Sequence, residues 1–201
     1  MSRIFTVGYG NRTFQEFARI LERYGIKYLV DVRSKPYSRI NPDFSKQTLE
    51  RNLAQNGVKY VFMGDALGGL PEDPACYTPD GRVDYEKCKV QPSYQAGIDR
   101  LKSASTQDLG VAIMCSELKP KHCHRSKLVA VSLTDLDIEV VHINENGELI
   151  SQAQVIAEVK AELNGTAPGQ LSLFGDEVEH SLTSRKRYDN ARSKKDLPDE
   201  T

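Results

Sequence analysis

The chain has no tryptophan, only three methionines and four cysteines among 201 residues, and charges that nearly cancel at −1. Four cysteines are too few for the dense disulfide framework that small secreted domains use in place of a core. A net charge near zero excludes a whole-molecule field for polyanions. No apolar run approaches the roughly 20 residues that a membrane-spanning helix needs. The first residues, Met1-Ser2-Arg3-Ile4-Phe5, enter a strand pattern at once rather than a signal-peptide pattern. A cytoplasmic location with reduced thiols and no membrane partner is therefore expected.

A hydrophobic fraction of 39% suits one buried core. Apolar runs at 4–7, 28–32, 59–62, 111–114 and 139–143 read as strands and alternate with helical patterns. That alternation predicts an α/β, Rossmann-like three-layer fold with a mainly parallel sheet of about five strands. The first helix is marked by a Thr13/Glu16 capping box and an apolar face of Phe14, Phe17, Ala18 and Leu21. Further helices are expected at about 45–56, 93–104 and 123–133, and after Ser151 as N-cap. Residues 64–92 read as a long irregular loop, with Cys76 and Cys88 at no recognisable metal spacing.

The α/β domain is placed at 1–163. A linker follows at 164–169, then the apolar island Gln170-Leu171-Ser172-Leu173-Phe174, then a charged tail at 175–201 that reads as disordered. Within the tail, residues 185–195 hold six basic residues against one acid, Asp189, a cluster able to touch phosphate backbones.

In a parallel sheet the carboxyl ends of the strands share one edge, where ligands bind. The loops leaving that edge carry Tyr9 and Arg12, then Asp31, Arg33, Lys35 and Arg39, then Cys115, Glu117, Cys123, His124 and Arg125. Convergent cations beside helix N-termini suggest a phosphate or carboxylate ligand. The candidate ligand-binding residues are Tyr9, Arg12, Asp31, Arg33, Arg39 and Arg125, with Asp31 and Arg33 equally able to pair with each other. Gly8 and Gly10 would permit tight turns and close ligand approach. The candidate catalytic residues are Cys115, Glu117, Cys123 and His124. For the two thiols the readings, in order, are structural thiols, a nucleophilic Cys123 activated at a helix N-terminus, and zinc held with His124 or His142. The spacing of Cys115 and Cys123 exceeds the usual zinc knuckle, so no metal and no cofactor is assigned. His142 at a strand end reads as a hydrogen-bonded core histidine.

These pieces resemble the bacterial and archaeal family called domain of unknown function 488. The resemblance lies in Thr6-Val-Gly-Tyr-Gly-Asn-Arg12, Leu29-Val-Asp-Val-Arg-Ser-Lys-Pro36, Arg39 with Asn41-Pro42 and Phe44, the Tyr60 strand with Leu67-Gly-Gly69, and Met114-Cys-Ser-Glu117 with Cys123-His-Arg125. Many members have Gly-His-Ser where this chain has Gly8-Tyr9-Gly10, so this chain either lacks a step carried by that histidine or uses Tyr9 or His124 for it. The family implies a Rossmann-like fold and no settled reaction. A looser resemblance, to rhodanese-like domains, rests on Asp31-Val32-Arg33 and Cys115 and implies thiol-dependent sulfur transfer. Gln170, Leu171, Leu173 and Phe174 look like the peptide by which bacterial replication and repair proteins bind the DNA sliding clamp. The expected function is recognition of a phosphate-bearing ligand, a nucleotide or nucleic acid, with a link to DNA replication or repair. Alternatives are a thiol-dependent sulfur-transfer or redox enzyme and a non-catalytic binding module. Whether the chain is an enzyme stays open at this level.

Overall fold

β-Branched and aliphatic runs this short form strands only when a neighbouring strand completes their hydrogen bonds. The computed structural model describes residues 3–107 and 109–163. It joins six such runs into one sheet: β1 (Ile4–Gly8), β2 (Tyr28–Asp31), β3 (Lys59–Phe62), β4 (Val111–Cys115), β5 (Val140–Ile143) and β6 (Leu149–Ser151). The order is β3-β2-β4-β1-β5-β6. All neighbours are parallel except β5 and β6. The sixth strand is the departure from the five expected. Its three residues carry too little alternation to show in sequence, and only pairing with β5 makes it a strand.

Seven α-helices complete the described fold: α1 (Phe14–Arg23), α2 (Lys46–Gln55), α3 (Gly64–Leu67), α4 (Tyr85–Lys89), α5 (Pro92–Thr106), α6 (Val131–Thr134) and α7 (Gln152–Leu163). Alternate strand residues feed two cores on opposite faces of the sheet. Phe17 and Leu21 of α1 and Leu49 and Leu53 of α2 pack with Leu29, Ala112 and Met114. On the other face Cys88 of α4 and Ile98 and Leu101 of α5 pack with Val30, Val111 and Ile113. The Thr13/Glu16 box caps α1 as expected, with Glu16 Oε2 2.8 Å from the Thr13 amide. Ser151 likewise accepts from the Gln154 amide at 3.2 Å at the start of α7.

The segment 64–92 is more ordered than its composition suggests. It holds α3, a 3₁₀ turn at Pro74–Cys76, a Tyr77–Val83 bridge and α4. Side-chain caps from Asp73 and Asp84 organise it, and Cys76 and Cys88 bury their sulfurs against each other. The region 123–133 also differs. Cys123 is extended, Arg125–Ala130 form a π-helical turn, and only then does α6 begin. Among the described residues no helix is long and apolar enough to cross a membrane. The linker, Gln170–Phe174 and the tail lie outside the described residues.

Candidate functional site

The central strand β4 ends at Cys115, level with Gly8 of β1, and Asp31 of β2 pairs with Met114. Three loops therefore leave the sheet side by side. After β4 the chain turns through a 3₁₀ segment, Pro120–His122, which carries Cys123 back over Cys115. Ser126 holds this turn closed by donating to the carbonyls of Pro120, at 2.5 Å, and Cys123, at 3.0 Å.

Glu117 and His124 join the two thiols. Cys115 Sγ lies 2.8 Å and Cys123 Sγ 3.3 Å from Glu117 Oε2, and both sulfurs lie 3.8 Å from His124 Nδ1. The other ring nitrogen, Nε2, is 3.1 Å from the Val32 carbonyl. Gly69 packs against the ring, so a Cβ there would come within 2.6 Å of Nδ1. The environment splits the thiols. The hydrogen bond with Cys123, together with burial, pushes Cys115 well above the ordinary thiol range. Burial also pushes Cys123 up, but the Cys115 hydrogen bond and the charges of Arg125 and His124 outweigh it and hold Cys123 well below. Burial lowers His124, and its contact with Cys123 raises it further than burial lowers it.

Beside this group, Arg33 is clamped by Asp31 through Nε at 2.9 Å and through a second nitrogen at 2.6 Å. Tyr60 donates to the same carboxylate at 2.7 Å. Burial disfavours the Arg33 cation, but the bond to Asp31 and its charge more than compensate and raise its pKa. Burial and the Asp31 charge raise Tyr60. The guanidinium lies 5.3 Å from the Tyr9 ring, which itself stacks on Phe44 at 4.2 Å. A cleft of about 250 Å³ opens above, with Tyr9, Arg33, Lys35 and Lys127 in its walls. Cys115, Glu117 and His124 line it too, and the 64–92 segment contributes Gly69 and Tyr85.

Of the expected ligand-binding residues, the structure brings Tyr9 and Arg33 to the cleft and sets Asp31 behind Arg33. It corrects the placing of three others. Arg12 turns away and donates to the carbonyls of Gly8, Asn144 and Glu145, tying β1 to the turn after β5. Arg125 is fully buried and spends its guanidinium on Thr6 Oγ1 at 3.3 Å and the carbonyls of Glu117 and Leu118. It is the internal brace of the loop that follows β4. Arg39 is exposed and off the cleft wall. Gly8, expected to admit a ligand, admits the protein itself: a Cβ would lie 1.9 Å from the Glu117 carbonyl. His142 is a core histidine, held between Thr6 at 2.7 Å and Gln152 at 2.5 Å. Sequence reasoning missed Tyr60, Lys127, Gly69 and the Val32 carbonyl as parts of the site. Tyr60 and Gly69 carried a signal, since both lie in the pieces that resemble the family, but nothing in the sequence placed them beside Asp31 and His124.

An α/β protein with a basic cleft and a thiol–imidazole–carboxylate group at the carboxyl edge of its sheet is the class these observations define. The family model described as domain of unknown function DUF488 matches residues 13–132, and the chain belongs to that family. Comparisons with curated proteins and with solved structures found no match.

Proposed function

We propose that the edge cleft binds a small phosphate-bearing ligand and presents it to Cys115, Glu117, Cys123 and His124. The observation that carries this reading is that Lys35, Lys127 and Arg33 line the same 250 Å³ cleft as three members of that group. Asp31 neutralises much of the Arg33 charge while fixing its direction, so Lys35 and Lys127 supply the attraction and Arg33 the geometry. The volume lies just below the usual range for ligand pockets, favouring a small phosphate ester, a mononucleotide or a strand end over a duplex. We read the layered sheet with helices on both faces as Rossmann-like on the same grounds.

The test is calorimetric titration with inorganic phosphate and nucleoside monophosphates at two ionic strengths. Lys35→Ala, an exposed position, should weaken binding by about 0.5–1.5 kcal/mol and flatten its salt dependence. Absence of millimolar binding, or binding indifferent to Lys35→Ala and salt, sinks the proposal. A second reading, thiol-dependent sulfur transfer, is favoured by the adjacency of the Asp31-Val32-Arg33 and Cys115 strand ends. It predicts that a thiolate of Cys115 or Cys123 attacks the sulfane sulfur of a donor such as thiosulfate and expels sulfite, leaving a persulfide seen by intact mass.

A further inference from the structure

We propose that Cys115, Cys123 and His124 form a mononuclear zinc centre whose open side faces the cleft. Their ligand atoms lie within 4.8 Å of one another and come from residues that are all largely buried. Tetrahedral zinc, with bonds of about 2.3 Å to sulfur and about 2.1 Å to nitrogen, sets sulfur–nitrogen edges of about 3.6 Å. The two observed edges are 3.8 Å each. Both sulfurs are thus equidistant from one ring nitrogen, as a shared central ion requires.

The ring is fixed for this role. The Val32 carbonyl can only accept, so in the neutral ring Nε2 carries the proton and Nδ1 turns its lone pair toward the sulfurs. A histidine ligand whose other nitrogen donates to a backbone carbonyl is the usual outer arrangement of metal sites. Only glycine fits at position 69 beside the ring, since a Cβ there would lie 2.6 Å from Nδ1. The Arg125 amide at 3.5 Å supports charge on Cys123 Sγ.

Charge favours a cation too. Cys115 and Cys123 are 3% and 1% exposed, and Glu117 places a carboxylate against both sulfurs. A bound cation would allow both buried sulfurs to be thiolates, a state that burial alone makes costly. A divalent ion with two thiolates is neutral overall, and two sulfurs with one imidazole select zinc over magnesium or calcium. Cys115 and His124 border the cleft, so a fourth position there is open to water, to Glu117 or to a ligand oxygen. Three protein ligands and one open place is the pattern of a catalytic rather than a structural zinc. The centre stands whether or not the bound ligand carries phosphate.

The test uses the full chain, purified with reductant and analysed for metal after gel filtration. About one zinc per chain is expected. Cobalt substitution should give thiolate charge-transfer bands and the visible bands of a tetrahedral ion. Cys115→Ser and Cys123→Ser should each weaken zinc binding by on the order of 100-fold or more. Cys76→Ser should keep the wild-type stoichiometry. Because a ligand variant can misfold, zinc should also raise the thermal midpoint of the wild-type chain. Lys35→Ala should lose phosphate affinity and retain zinc, which separates the two proposals. Wild-type protein with no retained zinc after loading, a cobalt form without thiolate bands, or persulfide forming on the zinc-loaded chain overturns the centre.

Discussion

Asp31 and Arg33 form a two-pronged ion pair inside the protein, 2.6 Å at its shorter contact, with side chains 0% and 5% exposed. The pair is two residues apart on one strand end, and Tyr60 from the neighbouring strand takes the remaining acceptor site. A buried pair is far more sensitive to the loss of one partner than of both. Arg33→Met alone should lower unfolding free energy by about 3–5 kcal/mol, and adding Asp31→Asn should recover part of that loss. Urea denaturation of both variants checks it. A single variant within about 0.5 kcal/mol of wild type would show that water reaches the pair.

Arg125 makes a different commitment. Its guanidinium serves Thr6 and two carbonyls of the loop that carries Glu117, and no shorter or single-headed cation can reach all three. Arg125→Lys should therefore cost about 2–4 kcal/mol and loosen residues 115–118. Hydrogen exchange of the amides in that loop is the sensitive readout. Unchanged protection would mean that the Gly8 contact alone holds the loop.

His142 sets an acid limit. Burial, aided by the Arg125 charge, pushes its pKa down to about 4. The folded state keeps the ring neutral while the unfolded chain protonates it near 6.5. Stability from this group is whole above about pH 6.5, falls as the pH drops toward 4, and levels off below that. The loss amounts to about 3 kcal/mol at most. Comparing denaturation midpoints of wild type and His142→Gln across this window isolates the contribution. Parallel curves for the two proteins would exclude it.

The peptide Gln170–Phe174 yields a prediction of its own, although it lies outside the described residues. Leu171, Leu173 and Phe174 after a Pro-Gly linker suit an apolar groove such as that of the bacterial sliding clamp. Micromolar affinity, on the order of −8 kcal/mol, is expected. Replacing Leu173 and Phe174 with Ala should abolish binding to purified clamp and leave the domain's thermal midpoint unchanged. A midpoint lowered by several degrees would make the segment a strap on its own domain, and the link to replication or repair would fall with it.

The strands, the first helix and the chemistry-bearing edge were legible because their signals are local. Apolar runs of four or five residues, a capping box and the gathering of polar residues after strand ends need no knowledge of what lies opposite. The three-residue β6, the order within 64–92 and the π-helical turn after His124 were not, because each depends on partners distant in sequence.

The amino-acid order by itself determined that Cys115, Glu117, Cys123 and His124 would share the end of one strand, since connectivity and alternation fix that much. The tertiary structure alone decided which cations face the cleft. Arg12, Arg33, Arg39 and Arg125 are chemically the same in sequence, and all follow strand ends or their loops. Only burial and the positions of backbone carbonyls separate them: Arg125 and Arg12 bond the chain itself, Arg39 stands in solvent, and Arg33 turns toward the cleft. A guanidinium binds whichever acceptors are fixed within its reach, and those acceptors are set by the packing of distant segments.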